Sequence, residues 1–338
     1  MKNNFDFLRL VFALLVVIAH SYPLSGNSIS NQWIYQITNG QIELSNIGLN
    51  GFFIISGYLI YQSLDRSKTI INYLWKRILR LFPALFVVLL LTVILALFLY
   101  EGPVSKVNNK DFYSYIPRNL SLYNLQYNIT GVFGKNPFPS AINGSLWTIC
   151  YEFTLYILLG FLFFVNNKKV KLYLLTLTFI AMIIGYNFFM KKYGTLYFFG
   201  LNTFNFFNLG TFFVAGSLLA IIQIEKWNNK KSLIFVVFIL ILLSLFFNIY
   251  DNVKHVLLTL LILLFGLIPI NPLSKINKIG DLSYGVYIYS FPIQQYLMYL
   301  LHLNTESLMI SSVLISIFFG YLSWHLIEKK SLSFKNKF

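Results

Sequence analysis

Cysteine and charge are both scarce in this chain. Its single cysteine, Cys150, excludes an intramolecular disulfide and any cysteine metal cluster. Charged residues make up 11% of the 338 residues, where a soluble domain of that length would carry about 25%. Also missing are a hydrophilic domain, a linker, an internal repeat and a low-complexity tract. What is present instead is apolar: 57% of residues are hydrophobic and the mean hydropathy is +0.68. The 35 Phe and 23 Tyr suit lipid-facing helices with interfacial aromatic belts. These features predict an all-α polytopic membrane protein.

Ten apolar spans are read at approximately 10–24, 46–63, 81–99, 143–165, 172–190, 205–222, 233–249, 255–270, 282–300 and 308–326. With the N-terminus assigned to the cytoplasm, Lys and Arg divide 19 inside to 7 outside. That positive-inside bias puts both termini in the cytoplasm and explains the net charge of +15 without nucleic acid. The expected organisation is one membrane domain over 1–330, a short cytoplasmic tail at 331–338 and no soluble domain. Met-Lys ahead of an apolar run loosely imitates a signal peptide, but Asp6, Arg9 and nine further spans argue against cleavage. Two long connections, 25–45 and 100–142, fall outside. The second, rich in Asn, Tyr, Ser, Gly and Pro, is either a solvated connector or a surface that receives a sugar-like acceptor.

Within this apolar background a few polar residues stand where lipid should be. The first span carries Arg9 at its start and His20 near its far end, with no polar side chain at 10–19. Eleven residues make three turns plus about 20°, so both project from one face, roughly 16 Å apart. Ionisable groups in lipid are costly and face a protein interior or a water-filled path. Asp6, three residues before Arg9, is spaced to pair with it. A lone histidine is more often a hydrogen-bonded structural residue, yet a neutral imidazole can also accept a proton near physiological pH.

Small residues in span two, Gly51, Ser56 and Gly57, permit close helix approach or give a ligand access to the backbone. Arg77 and Arg80, three apart ahead of Pro83, are either inner-face anchors or a bidentate phosphate grip. Glu152 lies about two turns, roughly 12 Å, in from the outer surface. His20 and Glu152 are thus assigned comparable mid-to-outer depths. A carboxylate that met the ring there would orient it and stabilise its protonated form.

These residues, in this order, resemble the acyltransferase-3 family of bacterial membrane acyltransferases. The similar pieces are Asp6-Phe7-Leu8-Arg9 with His20 eleven residues after Arg9, the Phe-Phe-x-x-Ser-Gly-Tyr run at 52–58, and Arg77-x-x-Arg80 with Pro83. Ser145-Leu146-Trp147, Tyr151-Glu152, the run Leu282-Ser283-Tyr284-Gly285-Val286-Tyr287, and Glu328 continue it across essentially the whole chain. The resemblance implies a domain of about ten helices in the bacterial plasma (inner) membrane. It implies transfer of an acyl group, commonly acetyl from cytoplasmic acetyl-CoA, to a hydroxyl of a carbohydrate of O-antigen, capsule or exopolysaccharide type. In such proteins the Arg-x10-His and Arg-x-x-Arg patterns are linked to activity, and they carry onto Arg9, His20, Arg77 and Arg80. Many relatives have a histidine where this chain has Ser290, in Tyr289-Ser290-Phe291-Pro292. His20 is therefore expected to be the principal base.

On that expectation Arg77 and Arg80, helped by Arg9 and flanked by Ser56 and Gly57, bind the donor, while Glu152 orients His20 or binds sugar. Trp147, Tyr151 and Tyr284 are the acceptor-binding candidates, and no metal is expected. The rival reading is a transporter or flippase of a sugar-containing substrate. It predicts internal repeats or paired broken helices, and the sequence has neither.

Overall fold

The computed structural model describes residues 3–139, 141–275 and 278–336. Lys2 and Lys337, both counted on the inner side, lie outside them. The chain is a bundle of long helices. In order these are α1 (Phe5–Leu24), α2 (Leu44–Asp65), α3 (Ile70–Phe98), α4 (Lys110–Leu120), α5 (Trp147–Gly160), α6 (Lys168–Ile184), α7 (Thr203–Ile221), α8 (Lys230–Phe246), α9 (Tyr250–Leu267), α10 (Ser283–Leu301) and α11 (Thr305–Ser323). Among the described residues, eight helical segments are long and apolar enough to cross a membrane. They contain α1, α2, α3, α5, α6, α7, α9 and α11.

Two further helices overlie the predicted spans 233–249 and 282–300. α8 has 17 residues, just short of a full crossing. α10 carries Ser, Tyr, Gln and Gly throughout. Its first twelve residues except Ile293 are all buried, so neighbouring helices rather than lipid satisfy them. The lipid-facing helices are the converse. α3 exposes Phe86, Leu90, Leu91, Ile94 and Leu97, and α8 exposes Phe235, Ile239, Leu242 and Phe246. Apolar surface so extensive suits hydrocarbon, not water.

Without a hydrophobic force between helices in lipid, close packing relies on small residues. α2 sits centrally, against α1 and α7. At the second crossing a Cβ on Gly57 would lie 1.9 Å from the Phe213 carbonyl oxygen, and one on Gly216 2.2 Å from that of Ile54. Ser217 Oγ also donates to the Gly57 carbonyl at 3.0 Å. The two backbones therefore touch, and only glycine fits.

α3 departs from its predicted span of 81–99. Thr69 caps it by accepting from the Asn72 N–H at 3.0 Å, and the helix runs 29 residues, about 43 Å. That exceeds a hydrocarbon core of about 30 Å. Its first three turns extend as a projection ahead of the predicted span, so Arg77 and Arg80 ride on the same continuous helix as that span. The chain end returns to this projection, where Trp75 Nε1 donates to the Phe334 carbonyl at 3.1 Å.

The connection 100–142 folds over α10. Gln295 Nε2 donates to the Phe138 and Ala141 carbonyls, and Asn136 Nδ2 donates to Gln295 Oε1 at 2.7 Å. Many of its amide side chains thus serve internal bonds.

Candidate active site

Four arginines line one cavity at the mouth formed by the N-terminal ends of α1 and α3 and the C-terminal end of α2. Its volume is about 530 Å3. Arg9, Arg66, Lys76, Arg77, Arg80 and Lys335 line it against Asp6 and Asp281, six cations to two carboxylates. Ser56 and Tyr156 line it as well.

The arginines are not equivalent. Arg9 Nη1 reaches Asp281 Oδ2 at 2.5 Å and Arg80 Nη2 reaches the same oxygen at 2.6 Å. Arg80 Nη1 also pairs with Glu328 at 3.0 Å, and Ser323 Oγ donates to the other Glu328 oxygen at 2.9 Å. A π-helical turn at Trp324–Glu328 carries both Glu328 and Trp324, whose ring lies 5.9 Å from the Arg80 guanidinium. Gly280, at φ +115°, leaves room for that indole, since a Cβ there would fall 1.9 Å from Trp324 Nε1. Burial alone would raise the Asp281 carboxyl, but Arg80 and Arg9 outweigh it and hold it down to about 2. Among the described residues Arg77 has no carboxylate within ion-pair distance. It donates to Ser63 Oγ at 3.2 Å and lies 5.9 and 5.8 Å from the rings of Tyr73 and Tyr156.

Above this mouth Arg9 also borders a second, small cavity of about 30 Å3, with Phe52, Thr148, Glu152, Tyr284 and Tyr287. Glu152 accepts from Ser56 Oγ at 3.0 Å and from the Tyr156 hydroxyl. Arg9 thus stands between the two spaces.

His20 stands apart from both. Its ring packs edge-on to Phe291 at 5.3 Å, and its Nδ1 is buried with no hydrogen-bond partner. The Phe291 ring in turn fills the space beside Gly144 and meets Phe138 at 6.1 Å. Among the described contacts none joins His20 to Glu152, whose partners are Ser56 and Tyr156. Glu152 instead faces the small cavity it shares with Arg9.

Other expectations also shift. Arg9 pairs with Asp281 rather than Asp6, because a carboxylate from the loop before α10 reaches it within hydrogen-bonding distance. Ser56 lines the cavity, but Gly57 is consumed by the α2–α7 crossing. Tyr284 lines the small cavity with its hydroxyl committed to the Leu81 carbonyl at 2.9 Å. Tyr151 is buried, accepting from the Asn202 N–H at 2.7 Å, and Trp147 packs on it at 5.5 Å. Those three aromatic residues are held by the scaffold. Asp281, Tyr156 and Ser63 were absent from the sequence reading. Asp281 precedes the Leu282-Ser283-Tyr284 run, so its position adjoined a motif, but nothing local marked its partners.

Fold and site define a polytopic membrane protein with a cationic mouth and an isolated imidazole farther along the same helix as one of its arginines. The chain belongs to the acyltransferase-3 family, whose acyltransferase domain matches residues 2–327. It is accordingly a membrane O-acyltransferase. It is 30% identical over 338 residues, 98% of this chain and 96% of the relative, to the "O-acetyl transferase" of Shigella phage Sf6. It is also 31% identical over 170 residues, 48% of this chain and 44% of the relative, to "Nodulation protein 10" of Rhizobium leguminosarum bv. viciae. No solved structure matches the chain.

Proposed function

We propose that the protein moves an acetyl group from cytoplasmic acetyl-CoA to a hydroxyl of a cell-surface or lipid-linked carbohydrate. It would do so in the bacterial inner membrane, through ten spans with both termini cytoplasmic. The observation that carries this reading is the cationic mouth: four guanidiniums around one cavity of about 530 Å3, inside the 300–1,000 Å3 usual for small-ligand sites. Arginine forks match phosphate oxygens. Arg77, which no carboxylate neutralises, is the primary phosphate contact, and Arg9 and Arg80 assist when phosphate competes with Asp281.

The pantetheine arm then passes Arg9 into the space beside Glu152, whose carboxylate accepts from its amide N–H groups. Glu152 is in this scheme a positioning residue for the arm. Beyond it, the Phe52 and Tyr287 rings, 5.9 Å apart, must part for the thioester to approach His20. There His20 takes the proton of the acceptor hydroxyl as that oxygen attacks the thioester carbonyl. Collapse of the tetrahedral adduct expels the thiolate, which recovers the proton from the imidazolium and leaves as free CoA.

General-base assistance supplies about 10²–10⁴-fold in rate. His20→Ala is therefore expected to express and bind CoA normally while losing at least a hundredfold in CoA-thiol release with acceptor present. Mass spectrometry of surface glycans should show the acetyl increment lost. Wild-type acetylation by a well-expressed His20→Ala protein would sink the assignment. Substrate movement by purified protein without acyl-CoA would instead favour a transporter.

A further inference from the structure

The cytoplasmic end of α2 is a ridge between two cavities. Leu59 and Arg66, seven residues apart and so nearly eclipsed on the helix, line the arginine cavity and also a neighbouring one of about 840 Å3. The intervening side chains divide between them. Ile60 and Ser63 face the arginine side, whereas Gln62 and Asp65 face the other.

The two lobes differ in chemistry. The first has six cations to two carboxylates; the second has Arg66 alone against Asp65 and Glu225. At the base of the second lobe Phe5 and Tyr58 pack ring on ring at 5.5 Å, with Leu267 and Pro269 completing apolar walls. Tyr58 Oη donates to Glu225 Oε2 at 3.0 Å, which fixes that carboxylate in place. Its Oε1 has no hydrogen-bond partner among the described residues. Phosphate is disfavoured in a lobe of this charge. A flat heterocycle carrying an exocyclic amine is favoured: its faces meet carbon, and its N–H groups find carboxylate and amide acceptors.

The geometry points to this lobe as the base-binding subsite of the donor. An adenine-bearing nucleotide lays its phosphates among the arginines, bends over the α2 ridge, and directs its purine amine at Glu225. This rests on the arginine cavity being the phosphate site of a CoA-type donor. The subsite then sets donor specificity: it recognises the nucleotide end, far from the acyl group, and binding there positions the arm without touching the reacting atoms.

Binding of CoA, of 4′-phosphopantetheine, which lacks the adenosine together with two of the phosphates, and of the hypoxanthine analogue of CoA, which differs at the base alone, is measured on the full-length protein in detergent. The wild-type protein is expected to prefer CoA over both by about tenfold or more, the scale of one charge-assisted hydrogen bond. Glu225→Gln keeps an acceptor for Tyr58 but removes the charge, and should bring the CoA to hypoxanthine-analogue ratio near one. The hypoxanthine analogue tests the point on the unaltered protein, so a folding defect in the variant cannot mask the answer. Equal affinity of the wild-type protein for CoA and the hypoxanthine analogue, or a ratio untouched by Glu225→Gln, overturns the subsite. Failure of CoA and phosphopantetheine alike to bind the wild-type protein overturns the donor reading itself.

Discussion

Arg77 and Arg80 lie one turn apart on α3, yet their removal should have opposite signatures. Arg77 is held by one hydrogen bond to the uncharged Ser63 hydroxyl and by two aromatic rings near 6 Å. At about 1 kcal/mol for the part of that bond a Gln amide cannot replace and 0.5–1 for each ring contact, Arg77→Gln should cost about 2–3 kcal/mol of stability. No carboxylate is orphaned by the change. Arg80→Gln is different. It leaves Glu328, 1% exposed, without its cation and strips Asp281 of one of two guanidiniums. Breaking a buried pair from one side costs about 3–5 kcal/mol, mostly through the stranded charge. Binding should run the other way. Arg77 has no ion-pair partner among the described residues, so its charge is the most open to phosphate, and its loss should weaken CoA about 10- to 100-fold. Denaturant unfolding in detergent and CoA titration on both variants give the four numbers. Equal stability losses, or wild-type CoA affinity in a folded Arg77→Gln protein, would refute the division of labour drawn from the ion pairs.

Two further tests address packing and pH. Gly57→Ala puts a methyl 1.9 Å from the Phe213 carbonyl oxygen, so α2 and α7 must separate by more than 1 Å; overpacking of that kind costs about 1–3 kcal/mol. A lowered unfolding midpoint is expected, and full stability with abolished CoA binding would mean that Gly57 meets ligand instead. The Asp281 carboxyl, held to about 2 against an ordinary value of about 3.9, contributes its full stabilisation above roughly pH 4 and loses it as pH falls through about 2. The stability gap between the wild-type protein and Asp281→Asn should therefore narrow as pH falls below about 4. A gap unchanged between pH 5 and pH 2 would contradict that account.

Much of the protein's character is local and was legible without coordinates. Runs of about 20 apolar residues cross a bilayer as helices because the backbone must satisfy itself there. Hence the spans, and the oddity of Arg9, His20 and Glu152 within them, could be read directly. The 3.6-residue period also placed Arg9 and His20 on one face, and Arg77 beside Arg80. Boundaries read less well. The apolar span was read at 81–99, whereas α3 begins at Ile70, because Asn72, Lys76, Arg77 and Arg80 interrupt the apolar run of its first turns.

What period and spacing cannot supply is which helix faces which. Arg9 and Asp281 are 272 residues apart, and Arg80 and Glu328 248; only packing joins them, and it overrode the nearer Asp6. The same holds for Glu152, drawn to Ser56 and Tyr156 instead of His20, and for Gly57, whose missing side chain is needed by the α7 backbone. Composition and periodicity by themselves determined a helical membrane protein with charges inside it, since both are properties of a chain in its solvent. The assembly of those charges into an arginine mouth, and the isolation of the imidazole above it, were decided by long-range contacts that no segment encodes alone.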